Sequence, residues 1–162
     1  MNVLLNKEQQ KAYDILVKGH NLFLTGPSGT GKSTIINKFR QQFQFTRKIA
    51  ITSTTGISAL LIGGTTLHSY LGIGLGTGTV EKMADKIIKI PYYRKRWTML
   101  NTLIVDEVSM LSPVLFDKLE EMARIIRKNE LPFGGIQLIF SGDFLQLPVV
   151  NSEDFLFEAE SW

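Results

Sequence analysis

A glycine-rich stretch near the start of the chain has the residue types that hold nucleotide phosphates. The segment GPSGTGKS, residues 26–33, has two glycines separated by four residues, followed by lysine and serine. Such a loop turns backbone N–H groups toward phosphate oxygens, and the helix after it adds the partial positive charge of its N-terminus. Lys32 can reach the β- and γ-phosphates, and the Ser33 hydroxyl can bind Mg²⁺. The predicted nucleotide-binding residues here are Gly26, Gly29, Thr30, Gly31, Lys32, Ser33 and Thr34.

An acidic pair indicates what this site does with a nucleoside triphosphate. In LIVDEVSML, residues 103–111, Asp106 ends an apolar run, where a carboxylate can hold Mg²⁺ through water. Glu107 would then face the γ-phosphate and polarise an attacking water. A small-molecule phosphotransferase must keep water away from that phosphate, so the pair favours hydrolysis. The alternative is two exposed carboxylates at the end of a strand.

Two glutamines are weaker candidates for functional residues. In SGDFLQLP, residues 141–148, Gln146 can hydrogen-bond a γ-phosphate or its water, and Asp143 can join a polar relay. On its own this segment is an ordinary turn. Gln9 lies three residues after Asn6, a spacing that predicts a capping box at the start of a helix.

A long segment rich in threonine, serine and glycine lies between these motifs. Residues 52–76 supply hydroxyls and backbone amides, the groups that commonly bind phosphodiester oxygens. His68 and Tyr70 could stack on unpaired bases, although a lone histidine is as often structural. Residues 63–78 contain too much glycine for a regular helix or strand. The segment YYRKRW, residues 92–97, is typical either of a nucleic-acid patch or of an exposed loop.

The charge distribution favours a polyanionic partner for the first part of the chain. Residues 1–98 carry 14 Lys and Arg against 4 Asp and Glu, whereas residues 99–162 carry 4 against 11. The net charges are therefore +10 and −7, which sum to the +3 of the whole chain. Uneven solvated surface is the alternative explanation.

The periodicity predicts the elements that must position these residues. Short apolar runs alternate with amphipathic segments, a pattern typical of a parallel sheet covered by helices on both faces. The predicted strands are 21–25, 48–52, 102–106 and 136–140, and the predicted helices are 7–18, 32–42, 80–88 and 113–128. The predicted fold class is α/β.

Composition sets further bounds. The chain has 162 residues, 44% of them hydrophobic, which suits one ordinary domain. It has no cysteine, so disulfides and a cysteine-type zinc site are excluded. We find no signal peptide and no apolar run of the roughly 20 residues that span a membrane. We therefore expect an intracellular protein with no membrane partner.

Taken together, the motifs resemble one family over residues 4–160. The set comprises LNKEQ, GPSGTGKS, TSTTGISALLIGGTTLHS, GIGLG, DEVSM and GDFLQLP. It is similar to the Pif-type (petite integration frequency) DNA helicases of superfamily one, relatives of the RecD helicases. The block from GGTTLHS to GIGLG is the most specific element.

The resemblance implies an ATP- and Mg²⁺-dependent motor that moves 5′-to-3′ along single-stranded DNA, built on a RecA-like phosphate-loop fold. It implies that Lys32, Glu107 and Gln146 are catalytic and that Ser33 and Asp106 hold the metal. It also implies that Gln9 recognises adenine, a role that can coexist with capping. The residues it places along the DNA strand are Thr55, Gly56, Thr65, His68 and Ser69.

One departure from the family is large. The family's motor has two RecA-like domains, and this sequence matches only the first, without the arginines that reach the γ-phosphate from the second. We expect residues 1–162 to be the N-terminal motor domain, monomeric when isolated, with slow turnover. The family's processes are DNA replication, repair, recombination and telomere maintenance. The expected location is a nucleus or mitochondrion if the source is eukaryotic, and is otherwise cytoplasmic or viral. The alternatives are a nucleotide-dependent DNA-binding module without turnover and a small phosphotransferase.

Overall fold

A five-stranded parallel sheet forms the centre of the protein. The computed structural model describes residues 4–25 and 31–142 of the chain. The strands are β1 (Leu22–Thr25), β2 (Ile49–Ser53), β3 (Thr65–Thr66), β4 (Thr102–Asp106) and β5 (Gln137–Gly142). Their order across the sheet is β1-β5-β4-β2-β3, and every neighbouring pair is parallel.

Helices connect the strands, as parallel pairing requires. In the described ranges they are α1 (Lys7–Val17), α2 (Lys32–Phe43), α3 (Gly56–Leu61), α4 (Leu67–Leu71), α5 (Val80–Ile88), α6 (Pro91–Thr98) and α7 (Pro113–Arg127). Short 3₁₀ turns follow β4 and precede β5. None of the helices in the described part of the chain is long and apolar enough to cross a membrane.

Both faces of the sheet are covered. Alternate residues of β4 enter different cores because successive side chains of a strand point to opposite faces. Ile104 packs with α1 and α2, whereas Leu103 and Val105 pack with α4 to α7. The predicted α/β class, with a parallel sheet between two helical layers, is confirmed.

Side chains cap the starts of α1 and α7. The Asn6 side chain accepts a 2.8 Å hydrogen bond from Gln9 N, and the Gln9 side chain accepts one of 2.9 Å from Asn6 N, so the predicted capping box is confirmed. Ser112 caps α7 by accepting from Leu115 N at 3.0 Å, with Pro113 in the first turn. Such caps satisfy backbone N–H groups that have no partner within the helix.

The prediction that residues 63–78 lack regular structure is wrong. They contain β3, which extends the sheet beside β2, and the five-residue α4. The glycines flank these short elements. A Cβ at Gly64 would collide with the Ile51 carbonyl, and Gly72 ends α4 at φ 70° with the Tyr93 ring against it. Close packing therefore explains why glycine stands at these two positions, which the sequence does not indicate.

The segment at residues 92–97 is not a loop, because it forms most of α6. Arg94 and Lys95 remain exposed on this helix, so the nucleic-acid patch stays a prediction. Trp97 is fully buried and donates from Nε1 to the Leu71 carbonyl at 3.0 Å. The Arg96 guanidinium lies 4.7 Å from the Tyr70 ring centroid and donates to the Tyr70 carbonyl at 3.0 Å. Arg96 and Trp97 thus hold α6 against α4.

Candidate nucleotide-binding site

The described residues of the phosphate motif, Gly31 to Ser33, and the acidic pair line one cavity at the carboxyl ends of the strands. This is where α/β proteins commonly bind ligands. The cavity has a volume of about 720 Å³. The lining residues that could bind a nucleotide or its metal come from the start of α2, the start of α3 and the end of β4. They are Gly31, Lys32, Ser33, Thr34, Thr55, Ser58, Asp106 and Glu107.

Asp106 is held at the end of β4 by two hydroxyls and a backbone amide. Its Oδ2 accepts a 3.0 Å hydrogen bond from Ser58 Oγ. Its backbone carbonyl accepts from Ser53 Oγ and from Thr54 N, each at 3.3 Å. The carboxylate therefore has a defined place on the cavity wall.

Glu107 has an unusual backbone. Its φ of 55° and ψ of 40° lie in the left-handed region, which non-glycine residues rarely adopt. Thr54 Oγ1 donates to the Glu107 carbonyl at 2.8 Å, which supports this conformation. Such backbone strain is concentrated at functional sites because the surrounding contacts must maintain it.

Gln9 lies beside the phosphate loop. A Cβ at Gly31 would collide with Gln9 Nε2, so this amide packs directly on the loop's last glycine. The capping bond uses Gln9 Oε1. The structure therefore places Gln9 against Gly31, which lines the cavity, while Gln9 caps α1. Its adenine-recognition role stays a prediction.

Several predicted residues lie outside the described ranges. They are Gly26, Gly29, Thr30, Asp143 and Gln146. Their nucleotide-binding and catalytic roles stay predictions.

The residues predicted to contact DNA lie on two neighbouring segments. Thr55 caps α3 by accepting from Ser58 N at 3.2 Å, and Gly56 is exposed at the first position of the helix. Thr65 in β3 and Ser69 in α4 are also exposed, and His68 is half-buried. Because β3 lies beside β2, which leads into Thr55 and Gly56, the sheet brings both segments to the same edge as the cavity.

The two aromatic side chains in this region have different surroundings. His68 borders a shallow depression of about 270 Å³ with Thr54 and Gly76, and burial lowers its pKa below the ordinary 6.5. Burial therefore favours the neutral form of the imidazole. Tyr70 is packed against the core beneath Arg96, and burial raises its pKa. Tyr70 is thus a packing residue, and the suggestion that it stacks on bases is wrong.

The residues present fit Mg²⁺ chemically. Ser33 and Asp106 line the same cavity and offer a hydroxyl and a carboxylate, the hard oxygen donors that Mg²⁺ prefers. Within residues 4–25 and 31–142, no group of three or more acidic or histidine side chains could hold a metal. Mg²⁺ commonly binds through one or two protein ligands together with phosphates, so this donor set suits a metal that arrives with a nucleotide.

Sequence reasoning missed Ser58 and Thr54. Both lie in residues 52–76, for which the sequence predicts only contacts with nucleic acid, yet the Ser58 hydroxyl bonds Asp106 and the Thr54 hydroxyl bonds Glu107. The sequence signal for this arrangement is the three-residue spacing of Thr55 and Ser58. An N-cap side chain accepts a hydrogen bond from the backbone N–H at this spacing.

Comparisons with known proteins agree over nearly the whole chain. The profile of the PIF1-like helicase family matches residues 4–156. The "ATP-dependent DNA helicase PIF1" of Saccharomyces cerevisiae is 44% identical over 99% of this chain and 20% of its own length. The crystal structure of Pif1 helicase from Candida albicans superposes with a TM-score of 0.93 at 41% identity, covering 99% of this chain and 37% of that one. The RecA-like fold is thereby confirmed.

A second solved structure contains ligands. Pif1 helicase from Bacteroides in complex with ADP-AlF3 and ssDNA has a TM-score of 0.81 at 28% identity, covering 98% of this chain and 39% of that one. The chain spans a third or less of the length of the curated relatives it matches first.

Proposed function

Because the chain belongs to the PIF1-like helicase family, we propose that residues 1–162 form the first, ATP-binding motor domain of a 5′-to-3′ DNA helicase. One observation carries the proposal. The start of α2 and the acidic pair after β4 line the same cavity, and the residues predicted to contact DNA begin at its edge. This arrangement suits a motor in which nucleotide and DNA occupy neighbouring sites.

The nucleotide site is assigned from its chemistry. Lys32 binds the β- and γ-phosphates, the residues of the glycine-rich loop bind through their backbone amides, and Gln9 contacts the adenine. Ser33 and Asp106 hold Mg²⁺, which supplies positive charge to the phosphates when bound. The complex of the Bacteroides relative with ADP-AlF3 supports nucleotide binding at this fold.

Hydrolysis is assigned to the residues that face the γ-phosphate. Glu107 accepts a proton from the attacking water, and its position at the end of β4 on the cavity wall supports this role. Gln146 positions the γ-phosphate or its water and relays its state to the DNA track. Thr54 holds the Glu107 backbone through a hydrogen bond and so fixes the position from which the Glu107 side chain extends.

The DNA track is assigned to the segment between β2 and α5. Thr55, Gly56, Thr65, His68 and Ser69 bind the backbone of single-stranded DNA through hydroxyls, amides and one neutral imidazole. The positive charge of residues 1–98 attracts the strand. The ssDNA in the Bacteroides relative supports this assignment.

The second motor domain of the same helicase is the proposed partner. It would contribute arginines to the γ-phosphate, and such an arginine is worth about 10³–10⁵ in rate. The 162-residue chain alone, a monomer, should therefore turn over far more slowly than the roughly 10 s⁻¹ median of enzymes. The intact enzyme would act in DNA replication, repair, recombination or telomere maintenance inside the cell.

The deciding experiment compares the parent chain with Glu107→Gln. Phosphate release from ATP is measured with and without single-stranded DNA, and MgATP binding is measured by calorimetry. We expect slow hydrolysis in the parent, a loss of about 10²–10⁴-fold in Glu107→Gln, and MgATP affinity that changes little. ATP binding with no detectable hydrolysis in either protein would favour the DNA-binding module without turnover. Transfer of phosphate to a nucleoside would favour the phosphotransferase.

A further inference from the structure

Three hydroxyl groups join the DNA-contacting segment to the acidic pair. Ser53 Oγ donates to the Asp106 carbonyl at 3.3 Å, and Thr54 Oγ1 donates to the Glu107 carbonyl at 2.8 Å. Ser58 Oγ donates to Asp106 Oδ2 at 3.0 Å. The first two bonds fix backbone, whereas the third fixes the orientation of the carboxylate itself.

Ser58 takes part in a second hydrogen bond. Its backbone N–H donates to Thr55 Oγ1 at 3.2 Å, which forms the cap of α3. The same residue therefore contacts Thr55, which is assigned to DNA, and Asp106, which is assigned to Mg²⁺. Ser58 itself lines the nucleotide cavity.

We propose that Ser58 is a positioning residue that orients the Asp106 carboxylate for Mg²⁺ and links it to the DNA-binding start of α3. This inference rests on the proposed function, since it names how the nucleotide and DNA sites communicate. It assigns Ser58 no contact with either ligand. Its effect passes through Asp106 on one side and Thr55 on the other.

The carboxylate needs such a partner because rotation about its last torsion is only weakly restricted. Within residues 4–25 and 31–142, Asp106 Oδ2 bonds Ser58, and no described group bonds Oδ1. Because Oδ2 accepts from Ser58, Oδ1 is the oxygen that we assign to Mg²⁺ or to a water bound to it. Partners that orient a metal ligand commonly change metal affinity by about 10–100-fold when they are removed.

The link to DNA follows from the hydrogen-bonding capacity of a hydroxyl. Thr55 Oγ1 can accept from Ser58 N while its own hydrogen is donated to a DNA phosphate. Donation to an anion polarises the hydroxyl, and bonds in such a chain strengthen one another. Binding of DNA at Thr55 should thus tighten α3 at Ser58 and favour the Mg²⁺-binding orientation of Asp106. By linkage, bound Mg²⁺-nucleotide should raise DNA affinity by the same factor.

The first test measures Mg²⁺ affinity without turnover. Fluorescently labelled ADP is bound to the 162-residue chain, and Mg²⁺ is titrated into the complex. We expect Ser58→Ala to raise the Mg²⁺ midpoint by about tenfold while the affinity for ADP in the absence of Mg²⁺ is unchanged. Ser58→Thr keeps a hydroxyl and should recover much of the loss. Thr98→Ala removes an exposed hydroxyl at the end of α6 and should match the parent.

The second test measures coupling. The affinity of Mg²⁺-ADP is determined with and without an oligothymidylate, for the parent and for Ser58→Ala. We expect the oligonucleotide to raise Mg²⁺-ADP affinity in the parent and to have little effect in Ser58→Ala. The thermal midpoint of each variant is recorded, and Ser58→Thr provides the folded comparison if Ser58→Ala is unstable.

The outcomes separate the two proposals. If the parent binds Mg²⁺-ADP and Ser58→Ala has the same Mg²⁺ midpoint, the positioning role is wrong and the proposed function stands. Equal coupling in both proteins would overturn the link to DNA. If the parent binds no ADP at all, the proposed function fails and this inference fails with it.

Discussion

Thr54 and Glu107 are the first residues after the adjacent strands β2 and β4, and Thr54 Oγ1 donates a 2.8 Å hydrogen bond to the Glu107 carbonyl. Glu107 adopts a left-handed backbone, with φ at 55°, which a non-glycine residue holds only when its surroundings favour it. The side chain assigned to activate water thus depends on a hydroxyl from the segment that precedes the DNA-contacting residues.

Replacing Thr54 tests this dependence. Thr54→Val keeps the shape but removes the hydroxyl, and we expect it to lower the free energy of unfolding by about 1 kcal/mol. It should also reduce ATP hydrolysis while nucleotide affinity is kept. Thr54→Ser retains the hydroxyl and should behave as the parent. Denaturant unfolding and phosphate release are the measurements, and equal hydrolysis by Thr54→Val and the parent would contradict the prediction.

Gly56 allows a test in which stability and binding move in opposite directions. A Cβ at this exposed first position of α3 would meet no atom within 4 Å, so Gly56→Ala should fold and gain about 0.4–1 kcal/mol of stability. If a DNA phosphate approaches this backbone, the added methyl should weaken binding by about tenfold, the equivalent of one charge-assisted hydrogen bond. Fluorescence anisotropy with a labelled single strand measures it. Unchanged DNA affinity would remove Gly56 from the track.

The strength of the sequence interpretation varies with the length of the element. α7 was located to within one residue because it combines a Ser-Pro start with a long apolar stripe. α3 and α4 have only six and five residues, too few to repeat a helical period, so neither was predicted. α6 was missed because Trp97 is its one buried residue in an otherwise polar segment.

The same limits apply to the candidate site. The motifs assign Lys32 to the phosphates and Asp106 to Mg²⁺, and both residues line the cavity. The part played by Ser58 depends on α3, and the orientation of a side chain on an unpredicted helix cannot be derived from the sequence. The packing of Arg96 on the Tyr70 ring likewise cannot be derived from the sequence, because it depends on how α6 lies against α4.

His68 predicts a dependence of stability on pH. Burial lowers its pKa in the folded state below the ordinary 6.5, so the unfolded chain binds a proton more readily. The contribution of neutral His68 to the free energy of unfolding is complete above the unfolded-state pKa of about 6.5. It declines as the pH falls from that value toward the lower pKa of the folded state. Comparing melting temperatures at about pH 8 and about pH 5.5, we expect a smaller loss in His68→Gln than in the parent. His20→Gln, at an exposed position, is the matched control and should not reduce the loss as His68→Gln does.

The contacts of Arg96 predict that Arg96 and Lys95, both on α6, contribute differently to stability. Arg96→Ala removes contacts with the Tyr70 and Tyr92 rings and with the Tyr70 carbonyl, so we expect a loss of about 1–2 kcal/mol in unfolding free energy. DNA binding should weaken too, because α4 carries His68 and Ser69. Lys95→Ala removes the same charge from an exposed position and should leave stability unchanged. Equal losses of DNA affinity in the two variants, with no loss of stability in either, would favour a nucleic-acid patch to which the cations contribute equally.

The central claim is that the cavity bordered by Lys32 and Asp106 binds the triphosphate of ATP. The most direct measurement is calorimetric titration of Mg²⁺-ADP and of a non-hydrolysable Mg²⁺-ATP analogue into the parent and Lys32→Ala. The charge of Lys32 serves the terminal phosphates, so its loss should weaken the ATP analogue by about 10–100-fold and ADP clearly less. An equal loss for both nucleotides, or no binding of either by the parent, would contradict the claim.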